Sequence, residues 1–242
     1  MSDRVSGKTI PVAQRLIFAL DVPDVDQAMA LVEKLDGVVH FYKIGLELFM
    51  SGRGFELLDW LVARDLKVFL DLKFFDVPAT VAAAVRQVAG RGATFATVHG
   101  NQAIMEAAAA SKGAHLKILA VTALTSLDRG DLDDLGFACD AEALVLSRAR
   151  RALAAGCDGV VSSGLEIPAL RADVNHELLI VSPGIRPVDN RPVDDQKRVV
   201  SPRQAFEAGA DYIVVGRPIR DAVDPVAAAA AIQREIAGVF DA

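Results

Sequence analysis

The sequence predicts an α/β protein built as a single-domain (β/α)8 TIM barrel, and three observations carry that reading. Eight apolar segments of strand length recur along the chain, and Ala-rich stretches of helical length lie between them. The 242 residues also divide over eight units at roughly 30 each, room for a strand, a helix and two short loops. The apolar segments are nearly continuous rather than alternating, as in parallel strands covered on both faces.

In chain order, strands are expected in RLIFALDV from Arg15, FYKIGLEL from Phe41, KVFLDLKF from Lys67 and FATVHG from Phe95. The remaining four are KILAVTAL from Lys117, GVVSSG from Gly159, LLIVSPGI from Leu178 and YIVVGRPI from Tyr212. Helices are expected in VAAAVRQVAGRG, AIMEAAAASKG, AEALVLSRARRALAAG, SPRQAFEAG and PVAAAAAIQREIAGVF. GRGATFATV, AAGCDGVV and EAGADYIVV form a weak repeat that places Gly just before a strand, where a helix should stop. No linker interrupts the alternation, so residues 1–14 are read as an N-terminal extension and 15–242 as the (β/α)8 barrel domain. Two connections are long, TSLDRGDLDDLGFACD after the fifth strand and RPVDNRPVDDQKRVVSP after the seventh. Long loops in a compact domain are usually functional, and barrel chemistry sits at the C-terminal strand ends. An open doubly wound sheet would normally carry GxGxxG after its first strand; here that strand ends in LDVPD.

The composition, 52% hydrophobic and 24% charged with a mean hydropathy of +0.31, excludes a disordered or coiled-coil chain. A net charge of -6 and a pI near 5.2 argue against a nucleic-acid or anionic-membrane surface, so an anionic ligand needs a local basic cluster. Cys139 and Cys157 are far apart and lack CxxC spacing, which favours neither a disulfide framework nor a thiolate metal site and fits a reducing cytoplasm. The segment MSDRVSGKTIPVAQR has no apolar signal core, and every later apolar run is broken before it could span a bilayer.

Chemistry concentrates in FLDLKFFDVPAT. Asp71 and Lys73 are two apart on a strand and therefore share a face, opposite Leu70, Leu72 and Phe74. Taken alone, the pair is equally a compensated structural ion pair, because buried charges need partners. Lys43 within FYKIGLEL and Asp21 at the end of RLIFALD extend it: neighbouring strand ends would bring Asp21, Lys43, Asp71 and Lys73 into one array of alternating charge. Asp76, just before Pro78, has the simpler alternative of a helix cap. At the close of the last strand, Gly216 and Arg217 fall where these barrels hold phosphate, Gly for close backbone approach and Arg for charge and forked donors. Arg186 and Gln196, in the preceding long loop, would complete the grip; singly they are ordinary solvated loop residues.

With those residues in place, the chain after its first dozen residues resembles the bacterial orotidine 5′-phosphate decarboxylase family. FALDVPD, YKIGLELF, DLKFFDVPATV, VTALTS, SPGIRP, DDQKRV and DYIVVGRPI carry the likeness. The resemblance implies a carboxy-lyase that converts orotidine 5′-monophosphate to uridine 5′-monophosphate and carbon dioxide, the last step of de novo pyrimidine synthesis, with no metal or organic cofactor. It assigns Lys73 as proton donor to C6, Asp71 to the side of the departing carboxylate, and Asp76 with Thr80 to the neighbouring subunit's site in a homodimer. Asp21 and Lys43 would hold ribose hydroxyls, Lys43 also serving the charge network. Thr125, alone or with Ser126, would contact the pyrimidine, and Arg186, Gln196, Gly216 and Arg217 the phosphate. Phe75 and Ala79 depart from the family pattern, which more often has His and Asn there; both flank the DxKxxD positions without replacing them. His99, at a strand end, is read as a structural or supporting residue.

Two rival readings remain at this stage. A magnesium-dependent sugar-phosphate decarboxylase or aldolase of the same barrel would need an added acidic ligand, for which Glu47 is available beyond the second strand. A catalytically silent nucleotide-binding barrel would have no use for the five charged residues together.

Overall fold

The structure, a computed structural model, describes residues 7–124, 129–174, 176–186 and 200–241. Strands β1 (Leu16–Ala19), β2 (Phe41–Gly45), β3 (Lys67–Phe74), β4 (Phe95–His99), β5 (Lys117–Val121), β6 (Gly159–Val161), β7 (Leu179–Ser182) and β8 (Tyr212–Val215) each fall inside one of the expected segments. They pair in parallel and in chain order, and β8 closes onto β1.

The helices are α1 (Val25–Lys34), α2 (Leu46–Met50), α3 (Gly54–Val62), α4 (Pro78–Ala89), α5 (Gln102–Ser111), α6 (Arg129–Asp134), α7 (Ala141–Ala154), α8 (Ile167–Asp173), α9 (Pro202–Glu207), α10 (Arg217–Arg220) and α11 (Pro225–Phe240). Side chains cap α1, α7 and α9: Asp24 accepts from Gln27 at 2.8 Å, Asp140 from Ala143 at 2.8 Å, and Ser201 forms a reciprocal capping box with Gln204. The repeated glycines Gly92, Gly156 and Gly209 all have positive φ, +80°, +81° and +109°, which lets each helix turn directly into the following strand.

Side-chain alternation along the strands explains their unbroken hydrophobicity. Phe18, Tyr42, Ile44, Val68, Leu70 and Val98 point outward and are buried against the helices, while Ile17, Phe41, Phe69, Phe95, Leu119, Leu179 and Tyr212 fill the interior. Phe95 is the centre of that filling, its ring centroid 5.0 Å from Phe41, 5.9 Å from Phe69 and 5.1 Å from Tyr212. The barrel is therefore packed, and its aromatic layer forms a floor for whatever sits above.

The N-terminal face is closed by the segment before β1. Ile10 packs on the interior cluster, Lys8 Nζ donates to Asp211 at 2.8 Å, and Arg15 donates to the carbonyls of Asp211 and Lys8 at 3.2 and 3.1 Å. Asp211 is fully buried and also accepts from Arg171 at 2.7 Å and from the N–H of Ile180 at 2.8 Å. Burial pulls the Lys8 ammonium below its usual range while Asp211 opposes the shift, so the ion pair holds a charge that its surroundings disfavour. No helix among the described residues is long and apolar enough to cross a membrane.

Replacing Asp211 by Ala leaves Lys8 and Arg171 without their shared carboxylate and should cost about 3–5 kcal/mol of unfolding free energy in urea. A loss below about 1 kcal/mol would show that this buried network does not secure the barrel's N-terminal face.

Candidate active site

Four strands place a polar residue two positions after an interior apolar one: Asp21 after Ala19, Lys43 after Phe41, Asp71 after Phe69 and Thr97 after Phe95. Positions two apart share a face, so the four polar groups form a layer directly above the aromatic floor, at the C-terminal mouth. Lys43 Nζ lies 3.1 Å from Asp21 Oδ1 and 3.9 Å from Asp71 Oδ2, and Lys73 Nζ lies 2.9 Å from that same Asp71 oxygen. The expected array is thus continuous in the order Asp21, Lys43, Asp71, Lys73. Its inner members are the buried ones: the side chains of Lys43 and Asp71 are 10% and 15% exposed, those of Lys73 and Asp21 40% and 47%. Lys73 is the cation of the array most open to a ligand.

At Lys73 the regular strand pattern fails. Leu70 pairs with Ala96 and Phe74 with Val98, so β3 spends four residues where β4 spends two. Lys73 absorbs the excess in the left-handed region, at φ +49°, a conformation that costs a residue bearing Cβ about 1 kcal/mol or more. Thr97 holds it there: its hydroxyl accepts from the Lys73 N–H at 2.9 Å and donates to Asp71 Oδ1 at 3.0 Å. One fully buried hydroxyl therefore orients both the strained backbone and the central carboxylate. Sequence reasoning missed Thr97, because Thr in FATVHG reads as an ordinary strand former; its position two after Phe95 was the available signal.

The described residues expected at the phosphate end follow β7 and β8. Gly216 has φ −113° and ψ −98°, and a Cβ on it would come within 3.3 Å of Asp21 Oδ2 and 3.4 Å of the Ala19 side chain. Glycine here lets the end of β8 pass against the β1 carboxylate. Arg186 is buried, and its N–H donates to the Val200 carbonyl at 3.0 Å. Arg217 opens α10. The guanidinium of Arg220 holds the Asp221 carboxyl below its usual range, and Arg217 and Arg186 add to that pull, so the three arginines serve one region.

Asp76 and Thr80 do not join the array's ion pairs. Both are exposed, and with Lys73 and Phe75 they line an open groove of about 360 Å³. The Asp76 carboxylate accepts from the Val77 N–H at 2.6 Å, but the cap residue of α4 is Val77, which has no side-chain cap bond, so the simple capping role is not filled by Asp76. Phe75 stacks on His99 with ring centroids 4.3 Å apart, and His99 Nδ1 lies 2.8 Å from Asn101 Oδ1. Glu47 is exposed in the first turn of α2, and among the described residues no group of three His, Cys, Asp or Glu side chains could hold a metal ion. Thr125, Ser126 and Gln196 lie outside the described residues.

Residues 14–232 match a family model described as orotidine 5′-phosphate decarboxylase / HUMPS family. The chain belongs to the orotidine 5′-phosphate decarboxylase / HUMPS family. Among its relatives, an orotidine 5′-phosphate decarboxylase of Methylococcus capsulatus is 68% identical over 242 residues, covering 100% of both chains. One from Stenotrophomonas maltophilia is 52% identical over 231 residues and covers 95% of each. The crystal structure of the orotidine 5′-phosphate decarboxylase from Lactobacillus acidophilus superposes with a TM-score of 0.82 at 35% identity, covering 92% of this chain and 99% of that one.

The strain at Lys73 is measurable without any substrate. Lys73→Gly should unfold at higher urea concentration than Lys73→Ala, by about 1 kcal/mol in free energy, because both lose the ammonium and only glycine is at ease at φ +49°. Equal stabilities would place the backbone elsewhere.

Proposed function

We propose that the protein decarboxylates orotidine 5′-monophosphate to uridine 5′-monophosphate and carbon dioxide, the last step of de novo uridine monophosphate synthesis. The observation that carries this reading is the continuous array of two carboxylates and two ammonium groups above an apolar floor, with Lys73 at its open end. The name shared by a relative 68% identical over the full chain supports it.

Loss of carbon dioxide leaves an electron pair on C6 of the pyrimidine, in an orbital that the ring cannot delocalise. A fixed ammonium group is what such a carbanion requires. Lys73 Nζ stabilises the developing charge, transfers its proton to C6 and regains one from solvent. Asp71, bonded to that Nζ at 2.9 Å, keeps the ammonium in place and stands beside the departing carboxylate. Lys43 compensates Asp71 from the other side and, with Asp21, holds the ribose hydroxyls. Thr125, with Ser126, contacts the pyrimidine, and Arg186, Gln196, Gly216 and Arg217 hold the phosphate. Binding energy from the phosphate, remote from the reacting carbon, is then available to align C6 with Lys73. The chemistry uses no metal or organic cofactor.

The catalytic unit is residues 15–242, preceded by the 1–14 extension, and it acts as a cytoplasmic homodimer. Exposed apolar side chains favour the dimer: Phe75, which lines the Lys73 groove, is 65% exposed, Val77 62%, and Leu46 and Met50 of α2 60% and 71%. A partner seated there would bring Asp76 and Thr80 to its own site. Both cysteines are unpaired, which suits a reducing compartment.

The deciding assay follows loss of the orotidine ring absorbance. Wild-type protein should convert orotidine 5′-monophosphate fully in excess EDTA, and Lys73→Ala should lower turnover by about a thousandfold or more while remaining folded. Absence of wild-type conversion ends the proposal, and activity lost to EDTA but restored by magnesium favours the metal-dependent rival.

A second measurement addresses the shared site. Mixing inactive Asp76→Ala and Lys73→Ala proteins should regenerate activity, because a heterodimer contains one site with neither substitution. If the subunits exchange, as labelled chains would reveal, and no activity returns, Asp76 acts within its own subunit.

A further inference from the structure

Arg220, the last residue of α10, bonds in two directions. Its Nη1 donates to the main-chain carbonyl of Asp21 at 2.6 Å, while Nε and Nη2 donate to the two oxygens of Asp221 at 2.6 and 2.9 Å. The guanidinium is planar, so engaging both partners fixes one orientation of the group and one spacing between the partners. Asp21 is the first charge of the array and receives Lys43 at 3.1 Å. Gly216, at the base of α10, packs closely against the same Asp21 carboxylate, which a Cβ there would approach to 3.3 Å. On the other side, the Asp221 N–H donates to the Arg217 carbonyl at 2.9 Å, and Arg217 and Arg186 both act electrostatically on the Asp221 carboxyl. A continuous path of contacts therefore runs from the phosphate end through Asp221, Arg220 and the Asp21 backbone to Lys43, Asp71 and Lys73.

We propose that Arg220 is a positioning residue that sets the distance between the phosphate-holding arginines and the charged array by tying the end of β1 to Asp221. The proposal rests on the phosphate-end reading above and deepens it: a nucleotide gripped at α10 is registered against Lys73 through Arg220. Arg220 need not touch the reacting atoms. Its pair with Asp221 is partly exposed, and exposed pairs contribute little to folding, so the role should be visible in catalysis more than in stability.

The test compares Arg220→Gln and Arg220→Lys with wild type in kcat and KM for orotidine 5′-monophosphate, in Kd for uridine 5′-monophosphate and for uridine, and in Tm. For Arg220→Gln, kcat/KM should fall about tenfold or more, the lower end of what a charge-assisted hydrogen bond carries, with kcat sharing in the loss. Affinity for uridine 5′-monophosphate should fall about tenfold and that for uridine less than about twofold, with Tm nearly unchanged and Arg220→Lys recovering part of the loss. An active wild type with unchanged kcat/KM in Arg220→Gln overturns the proposal. So does an equal loss of affinity for nucleotide and nucleoside, because Arg220 would then act on the ribose end alone. An inactive wild type would instead overturn the decarboxylase reading itself.

Discussion

A single oxygen of Asp71 faces two ammonium groups, Lys73 at 2.9 Å and Lys43 at 3.9 Å, and the geometry of the mouth follows from keeping that arrangement intact. Beside a hydrocarbon floor, unpaired charges would cost several kcal/mol each, so alternation of sign is what permits four of them to sit together. Asp21 completes the alternation by taking the second contact of Lys43. The array is neutral as a whole, yet its outer cation remains open. A ligand carboxylate placed beside Asp71 is a fifth charge, tolerated only while Lys73 is held where it is. Preorganisation here means that the ammonium is fixed by protein groups before any ligand arrives.

Holding Lys73 has a local cost in backbone strain, and the surrounding barrel offsets it. The Thr97 hydroxyl fixes both the left-handed residue and the carboxylate that its side chain reaches, while β3 is locked from below by Phe69 against Phe95. The two ends of the barrel divide the work. At the N-terminal face, Lys8, Arg15, Arg171 and Asp211 form a closed network around a fully buried carboxylate. At the C-terminal face the corresponding charges are left partly open, as a site for a ligand requires.

How much of this was legible depended on whether the signal was local. The eight strands were readable because parallel strands buried on both faces leave unbroken apolar runs, and three helix stops because only glycine enters positive φ without cost. The short α6, RGDLDD within the long connection after β5, has no apolar stripe and was read as loop. Asp71 and Lys73 were paired correctly from their spacing of two, but nothing in LDLKF announced the extra residues or the left-handed Lys73, since neither Gly nor Asn marks the place. Thr97 was hidden by its strand propensity. Arg220 was hidden by distance, its carbonyl partner lying 199 positions away in the chain.

The acidic total of the chain turns out to constrain the site very little. A net charge of -6 is spread over the whole surface, and at physiological salt a charge more than about 8 Å away through solvent is largely screened. Around α10, Arg220, Arg217 and Arg186 all act on the Asp221 carboxyl, so the region is locally rich in positive charge. Asp221 offsets the repulsion that Arg217 exerts on Arg220. Phosphate would then enter a place already organised around a carboxylate, and Arg220, bonded to both Asp221 and the Asp21 backbone, makes that organisation continuous with the charged array. Local geometry, not net charge, decides which ion this mouth can hold.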